Sequence, residues 1–231
     1  MIIKKILIYG LGKSGLSSFN FLRNKNDVYL FDDNPNLKIN KSIKKKTLNF
    51  KKLLKTKFDI IILSPGIDIK KCKLKNLLRK KNKNIYTDLD VFYSFYKNVS
   101  LTITGTNGKS TVTTLIGDIL KQAGKKVAVG GNLGTPFVAL LEQDPVDYFV
   151  LEISTFQLEG IKTFQPNIAV ILNITPDHLD RHKTLEEYAD LKGRVSAFQN
   201  DGDILVLNKD DKNVMKQGKR SKAKKVFFSL L

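Results

Sequence analysis

Residues 105–111 read Gly-Thr-Asn-Gly-Lys-Ser-Thr and follow the apolar run Leu101-Thr-Ile-Thr104. Two glycines, a lysine and two hydroxyls at the head of the amphipathic stretch Val112–Gln122 are an arrangement suited to phosphate. Such a strand–turn–helix aims the backbone N–H groups of Gly105, Thr106, Asn107 and Gly108, and the positive end of a helix, at one small volume. Lys109 adds a mobile charge, and Ser110 or Thr111 can offer a hydroxyl to Mg²⁺. The spacing is shorter than G-x-x-x-x-G-K-[ST], because Ile103 stands where the first glycine of that motif would be. The turn reads as a nucleoside-triphosphate site.

A second glycine turn lies near the start. Lys5–Tyr9 is a short apolar strand, Gly10-Leu-Gly12-Lys-Ser-Gly15 opens a helix over Leu16–Arg23, and Val28–Phe31 forms a strand ending in Asp32. Strand, G-x-G-x-x-G, helix, strand and acid form the fingerprint of a pocket for a diphosphate-linked nucleotide. The pattern fits NAD or another pyrophosphate such as a UDP-sugar. Asp59–Leu63 is a further strand, and its carboxyl end runs into Ser64-Pro65-Gly66. In an open parallel sheet these turns surround one crevice.

Two more strand ends carry polar groups. Tyr148–Leu151 is apolar and ends in Glu152, a carboxylate at the same edge as the phosphate turn and well placed for Mg²⁺. Ile168–Leu172 ends in Asn173-Ile-Thr-Pro-Asp-His178-Leu-Asp-Arg181-His182, in which His178 is a candidate metal ligand. Between them lie the turn Gly130-Gly-Asn132-Leu-Gly134 and the run Ile153-Ser154-Thr-Phe-Gln-Leu-Glu159.

The elements that must position these groups alternate throughout. Beyond the strands and helices already placed, the pattern predicts helices over Leu74–Lys81, Leu89–Tyr96 and Phe137–Leu141, and strands over Asn84–Tyr86, 99–103 and Val127–Val129. The fold class is therefore α/β. A Rossmann-like parallel-sheet domain over 1–98 precedes a partial P-loop-type ATPase domain over 99–231, each expected to have its own core. With one cysteine, Cys72, no internal disulfide can form, and no apolar run approaches a membrane span, so a cytoplasmic protein is expected. Residues 1–98 hold 23 of the 40 Lys and Arg but only 7 of the 22 Asp and Glu. Those lysines fall between predicted elements, at Lys44–Lys46, Lys70–Lys75 and Lys80–Lys83, and read as compositional bias that steers anions. No nucleic-acid-binding motif accompanies them.

The four motifs Gly105–Thr111, Gly130–Gly134, Leu151–Glu159 and Asn173–Arg181 occur in an order that resembles the Mur ligases, and most closely their D-glutamate-adding branch. Folylpolyglutamate synthases and the other branches differ at the Ser-Thr-Phe-Gln-Leu-Glu run and at the Gly10–Gly15 and Ser64–Gly66 turns. The departures are Thr155 where serine is usual, Lys13 in the first turn, and length: the family has three domains and about twice as many residues. The chain is thus expected to stop inside the central domain and to be inactive alone.

The resemblance implies an ATP- and Mg²⁺-dependent amide ligase of peptidoglycan precursor synthesis. ATP would phosphorylate the carboxylate of UDP-N-acetylmuramoyl-L-alanine, and D-glutamate would attack the acyl phosphate. It implies that Lys109 and its turn hold ATP. Ser110, Glu152 and His178 would hold magnesium, and Asn132 and Ser154 would touch substrate. Leu11, Gly12, Lys13, Ser14, Asp32, Asp33, Asn34, Ser64, Pro65 and Gly66 would hold the UDP. Tyr188-Ala-Asp-Leu-Lys192 matches a stretch whose lysine is carbamylated beside a metal, making Lys192 the candidate; by spacing alone it reads as a surface lysine on a helix. The alternatives are another Mur-type or folylpolyglutamate-type ligase and a nicotinamide oxidoreductase, the last of which would leave Lys109 and Glu152 without a task.

Overall fold

The computed structural model describes residues 3–80, 82–96, 98–132, 134–143 and 145–229. Lys81 at the end of a predicted helix, Leu133 in the Gly130–Gly134 turn, and Leu230 and Leu231 lie outside the described residues.

The strands fall into two sheets. The first contains β1 (Lys5–Tyr9), β2 (Asp27–Phe31), β3 (Ile60–Leu63) and β4 (Ile85–Thr87). Around it are α1 (Lys13–Leu22), α2 (Lys41–Lys46), α3 (Phe50–Lys55), α4 (Lys75–Lys80) and α5 (Asp88–Phe95). The second contains β5 (Val99–Thr104), β6 (Val127–Gly131), β7 (Tyr148–Glu152), β8 (Ile168–Ile171), β9 (Ile204–Asn208) and β10 (Lys224–Phe228). Its helices are α6 (Lys109–Gln122), α7 (Phe137–Leu140), α8 (Thr155–Leu158), α9 (Leu179–His182), α10 (Leu185–Gly193) and α11 (Lys212–Gly218). Strand orders are β2-β1-β3-β4 and β10-β9-β8-β5-β7-β6, and the pairings are parallel. Parallel pairing puts the turn after each strand on the same edge of its sheet, which is why motifs far apart in sequence can converge.

Segment 41–55 departs from expectation. Lys44–Lys46 lie in α2 rather than between elements. Asn40 accepts from the Ile43 amide at the start of α2, and Asn49 accepts from the Lys52 amide at the start of α3. These asparagine caps start two short lysine-rich helices that bury only Leu53 between them, so periodicity alone gives little signal.

Each sheet has an apolar cluster of its own, with Leu7, Tyr9, Phe58 and Ile61 on the first and Ile103, Val150 and Val170 on the second, but a third cluster is shared between them. The largest apolar cluster runs from Ile6 and Leu30 through Phe92 and Phe137 to Leu207 and Ala223. The join is made by α7, which packs on both α1 and α5. Phe92 lies 6.2 Å from the Phe137 ring and meets Phe149 edge-on at 5.0 Å. Asp90 adds a polar rivet: its Oδ1 accepts from the amides of Lys162 and Thr163 at 2.9 and 2.8 Å and from the Thr163 hydroxyl at 2.9 Å. Among the described residues no helix is long and apolar enough to cross a membrane.

Candidate active site

The first glycine turn joins β1 to α1. A Cβ at Gly15 would overlap the Gly10 carbonyl oxygen, so only glycine lets the helix start this close to the strand end. Gly12, the N-cap, offers no side chain, leaving the first amides of α1 open to a ligand. Ser64 holds the turn from the side by donating from Oγ to the Gly10 carbonyl at 2.7 Å. Asp32 closes it from the other side, its Oδ2 accepting the Leu11 amide at 2.7 Å.

A cleft of about 530 Å³ opens here between the two sheets. Gly12, Lys13, Ser14, Asp32, Ser64, Pro65 and Gly66 line one wall; Asn132, Gly134, Ser154, Phe156 and Gln157 line the other. Leu11, Asp33 and Asn34, expected at the same ligand, are not among the lining residues. Leu11 is buried, Asp33 accepts from the Tyr9 hydroxyl at 2.7 Å, and the side chain of Asn34 accepts the Asn36 amide. A larger hollow of about 700 Å³ lies toward the amino ends of β1 and β3, between Leu22 and Phe95. Its carboxylate, Asp90, is already used by the rivet.

The second glycine turn joins β5 to α6. Gly108 is the N-cap at φ +79°, a left-handed conformation that costs glycine nothing. Asn173, at the end of β8, braces the turn: its Oδ1 accepts the amides of Thr106 and Asn107 at 3.1 and 2.8 Å, and its Nδ2 donates to the Asn107 carbonyl at 3.1 Å. Two amides expected to face phosphate are therefore occupied by this asparagine. The groups left at the mouth are the first-turn amides of α6 and the side chain of Lys109. Lys109 Nζ folds back to the Thr106 carbonyl at 2.8 Å. Ser110 Oγ donates to Glu152 Oε2 at 2.7 Å, while Asn132 Nδ2 donates to Glu152 Oε1 at 2.7 Å. Glu152 is 2% exposed, so this strand-end carboxylate is buried rather than facing water. Asn132 belongs to the cleft wall; the Asn132–Glu152–Ser110 chain thus joins cleft to turn in two hydrogen bonds.

Lys192 lies behind the same turn. It is 1% exposed, which corrects its reading as a surface lysine. Nζ donates to the Gly105 carbonyl at 2.7 Å and sits 4.5 Å from the Tyr188 ring centroid. Burial, with Lys109 nearby, brings its pKa down to about 7, against the pull of Asp177.

His178 stands apart. Its ring is exposed, 3.6 Å from Asp177 Oδ2 and 5.3 Å from the Phe156 ring centroid. It has φ +49° and Lys183 has φ +60°, so left-handed residues bracket the single turn α9. Each costs on the order of 1–3 kcal/mol and persists only where the surroundings hold it. One hold is His182, 3% exposed, with Nε2 3.0 Å from the Thr155 hydroxyl; burial lowers its pKa. Among the described residues no group of three or more His, Cys, Asp or Glu is spaced to hold a metal. Ser110 and Glu152 come together; His178 and Lys192 are not drawn into contact with them. Asn173 and His182 lay within the polar run after β8, yet their bracing roles depend on partners distant in sequence.

Two parallel sheets carrying glycine turns over a shared cleft match known families. Residues 103–231 match the Mur ligase middle domain, and residues 4–85 match the Mur ligase MurD-like, N-terminal domain. The chain belongs to the Mur ligase family. It is 39% identical over 98% of its length to a UDP-N-acetylmuramoylalanine–D-glutamate ligase of Koribacter versatilis, covering 52% of that protein. It is 43% identical over 90% of its length to the one of a Thermoanaerobacter species, covering 48%. The chain therefore spans about half the length of these curated relatives. In fold it is similar to the UDP-N-acetylmuramate:L-alanyl-gamma-D-glutamyl-meso-diaminopimelate ligase from Neisseria meningitides (TM-score 0.59, 14% identity, 97% of this chain and 78% of that one). It is also similar to MurF ligase from Thermotoga maritima in complex with ADP (TM-score 0.53, 15% identity, 98% and 48%).

Proposed function

We propose that this chain carries the UDP-substrate and ATP-phosphate sites of a ligase that joins D-glutamate to UDP-N-acetylmuramoyl-L-alanine through an acyl phosphate. The observation that carries the reading is the Asn132–Glu152–Ser110 hydrogen-bond chain between the cleft and the second glycine turn. A carboxylate at the end of a UDP-linked ligand in that cleft lies on the path toward the phosphates. The relatives' names supply the substrate class, and the solved ligase that binds ADP supplies the nucleotide.

In this reading the open amides of α1 take the diphosphate of the UDP group. Lys109 and the first-turn amides of α6 hold the terminal phosphates of ATP and offset the charge that grows during phosphoryl transfer. Ser110 and Glu152 supply hard oxygen donors of the kind Mg²⁺ takes, and that ion would add charge neutralisation at the transferring group. Lys192, neutral in part near pH 7, can add its amine to CO₂, forming an N–C bond and releasing one proton to solvent, so that a carbamate anion stands beside the turn. Asn132 and Ser154 orient the ligand carboxylate.

Isothermal titration of the chain with UDP-N-acetylmuramoyl-L-alanine, and separately with ATP·Mg²⁺, tests the proposal. Saturable binding of each at one site is expected. Binding of neither removes the reading.

A further inference from the structure

Arg181 joins the two halves of the cleft. Its Nη1 lies 3.2 Å from Oδ2 of Asp68, and its Nη2 lies 2.7 Å from Oε2 of Glu159. Asp68 follows the Ser64–Gly66 turn of the first sheet, whereas Glu159 caps α8 in the second. The guanidinium also lies 5.5 Å from the centroid of Phe156, whose ring lines the opposite wall of the cleft. One planar cation therefore holds one cleft wall by charge and touches the other through a ring face. The Arg181 and Asp68 side chains are 17% and 16% exposed, so water and salt screen this pair less than an open surface pair. Asp68 is itself fixed, accepting the Lys70 amide on Oδ1 at 2.8 Å.

The same residue sits in α9, the turn between the left-handed His178 and Lys183. That turn needs outside support to keep its backbone, and His182 on Thr155 ties it only to its own sheet. Arg181 supplies the one ion pair described between this turn and the first sheet. A lysine could meet one carboxylate at a time, whereas the guanidinium fork meets both in fixed geometry and lies flat on a ring.

We propose that Arg181 is a positioning residue: its bridge from Asp68 to Glu159 holds the Ser64–Asp68 segment in register with the Phe156 wall and thereby sets the width of the cleft for its UDP-linked ligand. The ligand part of this inference rests on the function proposed above; the spacing part does not.

The test reads both. In a Cys72→Ser background, spin labels on Lys44→Cys and Lys212→Cys, both exposed and one on each side of the cleft, report the distance distribution between the sheets. Titration with UDP-N-acetylmuramoyl-L-alanine and with ATP·Mg²⁺ is run in parallel. Arg181→Met and Asp68→Asn should each broaden the distribution and weaken UDP-ligand binding about tenfold. The double variant should be no worse than either single one, and ATP binding should stay within twofold. Arg181→Lys should fall between. Circular dichroism confirms that each variant is folded. A merely structural arginine would lower the melting temperature while leaving distances and UDP-ligand affinity at the wild-type values, and that result overturns the proposal. If the wild type itself does not bind the UDP-ligand, the functional reading fails; an unchanged distance distribution then overturns the bridge, and a broadened one supports it.

Discussion

The two glycine turns start from the same local design and end as different instruments. Each follows an interior strand of its sheet, each opens a helix, and each uses glycine where a side chain would collide or strain the backbone. The first is lined by hydroxyls and open amides, with Lys13 exposed at its rim. The second packs Lys109, Lys192, Glu152 and Ser110 around one short loop and spends two of its own amides on Asn173. The first turn presents a shaped opening and neutral donors; the second is built around compensating charge. Removing a charge should therefore hurt the second far more than the first.

Lys109→Ala should show the largest effect. Losing one charge-assisted phosphate contact costs about 2–3 kcal/mol, or roughly 30- to 150-fold in ATP·Mg²⁺ affinity, with UDP-ligand affinity unchanged. Lys13→Ala should change UDP-ligand affinity less than about threefold, because an exposed cation is screened. Calorimetric titration of both variants with both ligands decides. Equal losses at the two turns would erase the contrast.

Glu152→Ala comes next. It leaves the Ser110 hydroxyl and the Asn132 amide without their buried acceptor and should lower stability by about 2–3 kcal/mol in urea unfolding. Glu152→Gln, which keeps one acceptor oxygen, should lose less. A stability loss under about 0.5 kcal/mol in the alanine variant would show that the carboxylate is dispensable to the fold.

The first turn has one buried charge, and it is expected to be a liability. Asp88 at the start of α5 is fully buried beside the Ser14 hydroxyl, and burial raises its pKa to about 6. A carboxyl that ionises later in the folded state than in the unfolded one loses stability as pH rises from about 4 to about 6. Asp88→Asn should therefore stabilise the chain at pH 7.5 by about 2 kcal/mol and remove that slope, as thermal unfolding across pH would reveal. Destabilisation at pH 7.5 would mean the charge is needed.

Lys192 gives the opposite signature. Its folded pKa of about 7 lies below the unfolded value, so the unfolded chain binds more protons between about pH 7 and 10. Stability should rise across that window by up to about 1.4 kcal/mol per unit from this group, and Lys192→Met should flatten the rise. Thermal unfolding from pH 7 to 9 under CO₂-free buffer measures it.

Legibility in the sequence followed the same divide. Strands β1 to β8 and the turns at their ends were readable because parallel strands buried on both faces are short unbroken apolar runs; β9 (Ile204–Asn208) was not read. Local features such as Gly105–Thr111 carried their chemistry in their spacing. What depended on long-range partners was not readable. Burial of Lys192 needs the Gly105 carbonyl 87 positions away, the occupied amides of Thr106 and Asn107 need Asn173, and the bridge through Arg181 needs Asp68. The shared core was missed because α7, four residues long, fills the gap between α1 and α5.

We propose that the first turn opens on a UDP-linked carboxylate ligand connected by Asn132 and Glu152 to the phosphate turn. Competitive titration of the wild-type chain with UDP-N-acetylmuramoyl-L-alanine and with NADH tests it most directly. One-site binding of the UDP ligand, weakened several-fold by Asn132→Ala, and no saturable binding of NADH are expected. Tight NADH binding that the UDP ligand does not displace would contradict it.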